Sequence, residues 1–429
     1  MSRALPQRHS RLPLKMLLML AWRNLWRHRR RTLITLSSIA IGFALAVLMI
    51  GLNDGGHNSM IRNAINLGDG HLTIQPRGYL EAPANHKYLA EGRALAERIA
   101  TFAIPGSVEP RISLQVLAST ASNSVGAALE GIDSTADTRA AQLQPSLIDG
   151  AWFEQGEGRG IVIGDGMARK LKARIGSRVV LMAGKQGGDS QAELARVSGI
   201  YDSGIDELDD FLILSDLALA RRFLEGEGAV PESEPLTRFA IFLDDPDTMG
   251  QWKAALKQAV EDDHVVVLDW QEVMPQLVQF ILIDDAGNYV FLIIILVMVV
   301  FGIVNTVLMS VLERTREFGL LRALGLSRHH LLFLVFCESL LLSLLAVAIG
   351  WLFGGGTHLW FSTQGIDLSA LMAGGTETMG TFMDPIIYTE LSWERVGQLT
   401  AIVFIATLGS GIYPALKAAR VTPVEALRT

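Results

Sequence analysis

The chain has 429 residues, half of them apolar, and carries 37 Lys and Arg against 44 Asp and Glu, a formal net charge of −7. Its mean hydropathy of +0.32 is high for a soluble protein, yet so many charged residues exclude a bundle made only of membrane spans. The composition predicts a few transmembrane helices and a sizeable globular domain, and the acidic balance gives no indication of a nucleic-acid partner.

The N-terminal segment 1–32 contains nine Lys and Arg and no acidic residue, which is typical of a cytoplasmic end. Residues 14–31 have the period of an amphipathic helix, whose apolar face consists of Leu14, Leu18, Trp22, Leu25 and Trp26. Tryptophan beside arginine favours a helix in the cytoplasmic membrane interface, and the alternative is a continuation of the first span. The apolar run 33–52 is predicted to be that first transmembrane helix, an uncleaved anchor rather than a signal peptide.

The region that follows has the composition of a globular domain and shows the same strand–helix–strand pattern twice. The first copy consists of strand 71–75, helix 89–100 and strand 110–119, and the second of strand 238–243, helix 247–260 with an aspartate cap, and strand 265–269. We expect residues 53–119 and 238–285 to pack together as one membrane-proximal α/β subdomain. The intervening residues 120–237 are predicted to form an inserted, β-rich subdomain.

Within the insert, the pattern predicts strands at 160–164, 178–183 and 194–201, a short helix at 167–173 and a Gly-rich turn at 184–189. Helical stretches at 59–66 and 270–283 connect the globular domain to its spans, either as levers that transmit motion or as static stalks. The single cysteine, Cys337, falls in a predicted span, so no internal disulfide can form. A domain held by packing alone is compatible with a bacterial periplasm.

Three further apolar runs, 289–312, 331–354 and 396–416, are each long enough to cross a hydrocarbon layer about 30 Å thick as a helix. The connection 355–395 is acidic, whereas the tail 417–429 is basic. The distribution of Lys and Arg places both termini in the cytoplasm and the globular domain outside. The predicted fold is therefore an α-helical membrane protein with four transmembrane helices and a large α+β extracytoplasmic domain.

A charged amphipathic segment at 313–328 joins the second and third spans and is expected at the cytoplasmic face, where it can receive force from a soluble partner. Glu338 lies about two turns into the third span, where an ionisable group is costly. We expect it to make a structural hydrogen bond to the second span or to a partner, rather than to contact substrate. Pro414 and Pro423 are expected to bend or end their helices and to place the tail beside the charged segment.

The sequence contains no phosphate-binding G-x-x-x-x-G-K-[ST] loop, no G-x-S-x-G or H-E-x-x-H motif and no Cys/His metal spacing. We therefore predict no catalytic residue, no metal site and no directly bound cofactor. A membrane-tethered enzyme is the weakest of the hypotheses, because no nucleophile–base or metal constellation is visible.

Two stretches of sequence resemble the FtsX-like family of ABC transporter permeases. The motif E-R-x-R-E-x-G-x-L-R-A-L-G at 313–325 is similar to the family's coupling helix, and Glu338 stands where the family has a glutamate. The segments Y-P-A at 413–415 and A-A-R-V-T-P-V-E-A-L-R at 418–428 are similar to its C-terminal signature. The resemblance assigns ATPase coupling to Glu313, Arg316, Glu317, Arg322, Ala323 and Gly325, and the signature to Pro414, Pro423, Glu425 and Arg428.

The resemblance implies a permease in a bacterial inner membrane, paired as a dimer with a second permease copy or homologue. Cytoplasmic ABC ATPase subunits, which hold ATP and Mg²⁺, would dock on the coupling helices. In the lipoprotein-releasing and macrolide-exporter branches, nucleotide-driven closure is relayed to a periplasmic domain with a porter-like and a β-rich subdomain, a process called mechanotransmission. The cargo implied is lipoprotein, lipid or another periplasmic molecule.

One feature departs from the chaperone-recruiting lipoprotein-releasing permease, whose ectodomain carries a long, proline-containing hairpin. The corresponding turn at 184–193 is short and has no proline. The chain is therefore expected to be the hookless permease of a pair, or a permease with another cargo. The alternative function is an ATP-gated signalling subunit that activates a periplasmic cell-wall hydrolase or senses a ligand.

Overall fold

The computed structural model describes residues 14–153, 158–184, 190–224, 233–260, 264–323, 326–367 and 386–420, which form two compact units. The helices of these residues are α1 (Leu14–Leu25), α2 (Arg29–Leu67), α3 (Gly92–Ala100), α4 (Thr138–Leu143), α5 (Asp165–Leu171), α6 (Asp206–Phe211), α7 (Leu217–Leu224), α8 (Met249–Ala259), α9 (Trp270–Val273), α10 (Pro275–Glu313), α11 (Thr315–Ala323), α12 (Arg328–Gln364), α13 (Trp393–Ser410) and α14 (Ile412–Ala419). The strands are β1 (Leu72–Pro76), β2 (Gly106–Ser119), β3 (Ser124–Ile132), β4 (Leu147–Gly150), β5 (Gly160–Gly164), β6 (Arg178–Gly184), β7 (Ser190–Tyr201), β8 (Leu212–Asp216), β9 (Arg238–Leu243), β10 (Val265–Asp269), β11 (Ile366–Asp367) and β12 (Ile386–Ile387).

Four helical segments of the described residues are long and apolar enough to cross a membrane, namely α2, α10, α12 and the segment Trp393–Ala418, which includes α13 and most of α14. The predicted anchor 33–52 and helix 59–66 are one helix, because α2 runs without interruption through the Gly-rich stretch between them. Gly55 explains this stretch, since a Cβ at that position would collide with the backbone of Tyr388. The glycine thus permits close packing inside a continuous helix.

The predicted helix 270–283 is divided at Met274, because α10 begins at Pro275 and continues through the second span. Proline fits this first helical position, where its missing N–H breaks no hydrogen bond. Helix α12 likewise extends ten residues beyond the predicted end of the third span, to Gln364. Beyond it, β11 and β12 form a two-stranded antiparallel sheet in the predicted loop 355–395.

The membrane-spanning unit consists of the described residues 14–57, 281–323, 326–367 and 386–420. It is held by apolar contacts between α2, α10 and α12. Its largest shared cluster contains Leu36, Ile39, Val299, Ile303, Leu342 and Ala346. Helix α1 adds Leu17 and Ala21, which pack on Leu334 and Cys337 of α12. Of the predicted apolar face of α1, Leu18, Leu25 and Trp26 pack against the other helices, whereas Trp22 is 44% exposed.

The fourth span ends in a break rather than at its proline. Helix α13 stops at Ser410, and α14 begins at Ile412, with the buried Pro414 in its first turn. The break falls at Gly411, where a Cβ would collide with the side chain of Ser339. Pro414 thus lies in the turn of α14 that tolerates a missing N–H, just after the interruption expected of it.

The globular unit consists of the described residues between 58 and 280. It is built on an antiparallel sheet with the strand order β10–β1–β9–β2. The two predicted strand–helix–strand patterns supply these strands, as β1–α3–β2 and β9–α8–β10, so both contribute to one sheet. Leu95 and Ile99 of α3 and Leu256 of α8 join the apolar core on one face. Ile65 of α2 packs with Ala240 and Phe242 of β9 on the other face, which explains why β9 is almost completely buried.

A second sheet closes into a barrel in the order β2–β3–β8–β5–β7–β6 and back to β2. The pairs β3–β8 and β5–β7 are parallel, and β4 joins β7 outside the ring. Strand β6 alternates strictly, with Val179, Leu181 and Ala183 pointing into the core. A closed ring leaves no unpaired strand edge. The insert is β-rich as predicted, although the strands β3 and β8 were not predicted from the sequence.

Strand β2 belongs to both sheets, which moves the predicted boundary at residue 120. Its residues Gly106 to Arg111 pair with β9, and Ile112 to Ser119 pair with β3. The barrel therefore begins inside β2, at Ile112, because one long strand crosses from sheet to sheet. The aspartate cap predicted for the helix 247–260 lies one turn before α8: Asp245 caps the 3₁₀ turn Pro246–Thr248, from which α8 continues without a side-chain cap of its own.

Candidate functional site

The charged segment between the second and third spans forms the short helix α11, which is preceded by a one-residue turn at Arg314. Phe318, with no exposed surface, anchors this helix in an apolar cluster with Leu331 and Val335 of α12 and Ala415 and Ala418 of α14. The C-terminal helix therefore packs beside the coupling segment, as expected for the tail. In the part of the chain that the structure describes, the apolar contacts of this helix lie on the face of Phe318.

Arg314 is the charged anchor of the same segment. Its Nη1 lies 3.0 Å from Oε1 of Glu338, and Asn24 of α1 donates a hydrogen bond of 2.7 Å to the same oxygen. The guanidinium also lies 4.9 Å from the ring centroid of Phe318, a cation–π arrangement. A buried charge requires such partners, because desolvation without them is costly. Glu338 was expected to bond to the second span or to a partner; its observed partners are instead Asn24 of α1 and Arg314 in the turn just after that span, and they connect α1, the α10–α11 turn and α12.

Two ion pairs attach the coupling segment to the basic connection between α1 and α2. Arg27 lies 2.6 Å from Glu317, and Arg31 lies 2.7 Å from Glu313. Both pairs are partly exposed, so each contributes little to stability, about 0–1 kcal/mol. Their effect is geometric, since they fix the orientation of α11 relative to the start of α2.

Within the described residues, one stripe of α11 makes no such ion pair or apolar contact. Arg316, Leu320 and Ala323 are exposed and recur at positions i, i+4 and i+7, which places them on one helix face. Leu320, at the centre of this stripe, is 55% exposed. This face combines an apolar centre with a basic side chain and is suited to contact another protein.

The sequence-predicted coupling residues thus divide into two groups. Glu313 and Glu317 are engaged in ion pairs within the chain, whereas Arg316 and Ala323 are exposed and Arg322 is half-buried. The predicted residues Gly325, Pro423, Glu425 and Arg428 lie outside the described residues. Arg314 was missed, although the cost of a carboxylate at Glu338 inside a span could have prompted a search for a nearby cation.

A second charged cluster lies in the globular unit, where α2 ends. It consists of Asp69, Glu109, Arg111, Glu130, Asp137, Arg139 and Arg238. Arg111 and Arg139 donate to the carbonyl of Gly68, and Arg139 also donates to that of Leu67 at 2.6 Å. These carbonyls are the acceptors that a helix C-terminus leaves unsatisfied. The cluster therefore clamps the end of α2 to β2 and α4.

The charges in this clamp determine each other's protonation. Burial alone would raise the pKa of Asp69, but Arg238, Arg139 and Arg111 lower it below its ordinary value of 3.8. Glu109 shows the opposite balance, because burial and the neighbouring Asp137 raise its pKa. Across the described part of the chain, no group of His, Cys, Asp and Glu could hold a metal ion.

Comparison with known proteins gives two family matches and several distant relatives. The FtsX-like permease C-terminal model matches residues 289–423, and the MacB-like periplasmic core domain model matches residues 32–259. An uncharacterized ABC transporter permease of Methanocaldococcus jannaschii is 23% identical over 95% of this chain and 96% of its own length. The lipoprotein-releasing system transmembrane protein LolE of Haemophilus influenzae is 23% identical over 95% of this chain and 98% of its own length.

Among solved structures, the periplasmic region of MacB from Actinobacillus actinomycetemcomitans is similar, with 14% sequence identity and a TM-score of 0.35. The similarity covers 51% of this chain and 97% of that structure.

Proposed function

Because the chain belongs to the FtsX-like permease family and has a MacB-like periplasmic core domain, we propose that it converts ATP hydrolysis by a partner into movement of its extracytoplasmic domain. It is a multi-pass ABC transporter permease with a large extracytoplasmic domain. In this family the ATPase is normally a separate subunit, so ATP and Mg²⁺ would be held by that partner.

The exposed stripe of α11 is the observation that supports this function best. Leu320 and Arg316 offer an apolar centre and a charge to an ATPase, while Arg314 and Phe318 fix the opposite face of the helix. A push on this stripe would therefore move the ends of α10 and α12 rather than bend α11 itself. The ion pairs of Arg27 and Arg31 would extend the same movement to the start of α2.

Helices α2 and α10 are the proposed transmitting elements. Each is a single helix of 39 residues, and a continuous helix bends little compared with a loop. At the end of α2, the guanidinium groups of Arg111 and Arg139 hold the last carbonyls. Movement of the helix would thus reach β2 and α4 directly.

We propose lipoprotein or another lipidic molecule as the cargo and the bacterial inner membrane as the location. The full-length relatives include a lipoprotein-releasing system transmembrane protein, which supports this class of cargo at 23% identity. We also propose a dimer with a second permease copy or homologue. Helix α10 offers a surface for such a dimer, because only 17% of its most apolar 18-residue stretch is buried within the chain.

The experiment is purification in mild detergent, followed by mass spectrometry of bound proteins and lipids and by ATPase assay. An ABC ATPase with acylated cargo is expected, whereas a cell-wall hydrolase would favour the signalling alternative. Leu320→Asp should abolish ATPase co-purification, because it places a charge in the apolar centre of the stripe. Leu117→Asp, the same change at a 43% exposed leucine of the barrel, should retain it. Equal retention by both variants would exclude α11 as the docking site.

A further inference from the structure

A cavity of about 540 Å³ lies in the globular unit between α3, α7 and the strands β2 and β9. Its floor consists of the apolar residues Ile99, Leu236 and Phe239, each of which is at most 3% exposed. Ala96, Ile104 and Leu217 continue the apolar surface along the walls. The volume falls within the range of about 300–1,000 Å³ that is common for small-molecule sites.

The polar side chains of this cavity are two arginines and two glutamates on α3, on α7 and at Glu234. Arg93 and Glu97 are well exposed and lie 3.7 Å apart. Arg221 is more enclosed, with 23% of its side chain exposed, and its Nη2 lies 3.9 Å from Glu234, too far for a hydrogen bond. Its Nε is buried and has no hydrogen-bond partner among the described residues. Buried side-chain donors are usually hydrogen-bonded, so the guanidinium of Arg221 is incompletely paired among the described residues.

The backbone around the cavity is strained at two positions. Ala103 and Glu234 both have a φ of 44°, in the left-handed region. They line this cavity and account for two of the three non-glycine residues with positive φ in the described part of the chain. Such conformations are strained and persist where the surrounding structure holds them, often at binding sites.

From these observations we propose that the cavity binds a single-chain anionic amphiphile. The acyl chain would lie along the partly buried apolar walls of Ala96, Ile104 and Leu217, and a carboxylate or phosphate oxygen would pair with the guanidinium of Arg221, whose side chain is 23% exposed. The four charged side chains balance formally, but Glu97 and Glu234 are 77% and 45% exposed, and water screens them more than it screens Arg221. The site therefore favours an anion. This inference does not depend on the cargo or on the ATPase proposed above.

Photo-crosslinking of the full chain tests this site. The chain is placed in nanodiscs of zwitterionic phospholipid with a hexadecanoic acid that carries a diazirine at the chain end, irradiated, digested and analysed by mass spectrometry. Crosslinks are expected in residues 92–104 and 234–239. Dodecanoate and dodecyl phosphate should compete with them, whereas dodecanol, which dilutes the probe in the bilayer equally, should not.

Matched variants of α7 separate the site from general partitioning. Arg221→Gln should raise the half-competing concentration of dodecanoate about tenfold or more, because a hydrogen bond between charged groups is lost. Arg222→Gln, the same change at the adjacent residue outside the cavity, should leave it unchanged. Ala96→Trp should remove the crosslinks by filling the space. Crosslinks confined to the spans, equal competition by dodecanol, or equal effects of the two arginine variants would overturn the proposal.

Discussion

Arg314 donates hydrogen bonds through Nη1 to both carboxylate oxygens of Glu338, at 3.0 and 3.2 Å, across 24 positions of the chain. Both side chains are largely buried, at 8% and 12% exposure. Buried ion pairs often contribute little net stability, because desolvation offsets the attraction. The main effect of this pair is therefore on position: it connects the turn before α11 to α12, so that a movement of one is passed to the other.

Removing either member of this pair should destabilise the membrane-spanning unit. Arg314→Ala or Glu338→Ala leaves a buried charge without its partner, which costs about 3–5 kcal/mol. The double variant should lose less than the sum of the two. The measurement is the melting temperature of the purified chain, with Glu394→Ala, an exposed carboxylate of α13, as the control. Additive losses would contradict a direct interaction.

Reversing the charge of Arg27 in its pair with Glu317 should affect coupling more than stability. Because the pair is 56% and 39% exposed, Arg27→Glu should shift the melting temperature little. It should nevertheless reduce ATPase stimulation, since like charges would turn α11 away from the start of α2. Stimulation is measured with the partner ATPase in nanodiscs. Glu317 is left unchanged because it also lies 3.4 Å from Nε of Arg314. Arg27→Lys, which keeps the charge, should retain the stimulation, and equal losses in Arg27→Lys and Arg27→Glu would contradict a role for the charge of Arg27.

The coupling segment illustrates what the sequence could and could not predict. Its charge and its position between two apolar runs identified the segment, and the motif indicated Glu313, Arg316 and Glu317. The partners of these residues were not predictable, because Arg27 and Arg31 lie almost 300 positions earlier and pair only through folding. The same limit applies to Arg314, whose role depends on a helix that begins after the segment ends.

Arg111 should be essential for the clamp at the end of α2. Its side chain has no exposed surface and pairs with Asp137 and Glu109 at 2.9 Å, so Arg111→Leu leaves two carboxylates buried and uncompensated. A cost of about 3–5 kcal/mol corresponds to amide exchange in β2 and β9 that is faster by about 100-fold or more. Hydrogen-exchange mass spectrometry measures this rate. Arg169→Leu, at a 68% exposed arginine of α5, should leave the rate unchanged.

The lowered pKa of Asp69 gives the clamp a defined pH dependence. Its carboxylate is favoured in the folded state, so its contribution to stability is complete above the ordinary value of 3.8 and is lost as the pH falls through the lower, folded pKa. Wild type should therefore exceed Asp69→Asn in stability at neutral pH, and the difference should shrink below about pH 3.8. Unfolding midpoints measured between pH 7 and 2 test this. A difference that grows on acidification would contradict the sign.

The globular unit shows the same contrast between local and distant information. The strands β5, β9 and β10 were predicted with their observed bounds, because short apolar runs between turn residues mark them locally. The passage of β2 from one sheet to the other was not predictable, since Arg111 and Ile112 belong to one uninterrupted strand. The clamp was not predictable either, because its seven charged residues come from positions 69 to 238 and each, taken alone, is typical of a surface charge.

Cysteine labelling of α11 tests the central claim most directly, because the chain's single cysteine, Cys337, is only 2% exposed and gives little background. Arg316→Cys should react with a membrane-impermeant maleimide in inside-out vesicles and not from the periplasmic side of intact cells. Binding of the ATPase should protect it. Leu117→Cys on the barrel should show the opposite sidedness. Labelling of Arg316→Cys from the periplasmic side, or labelling unchanged by the ATPase, would contradict the account.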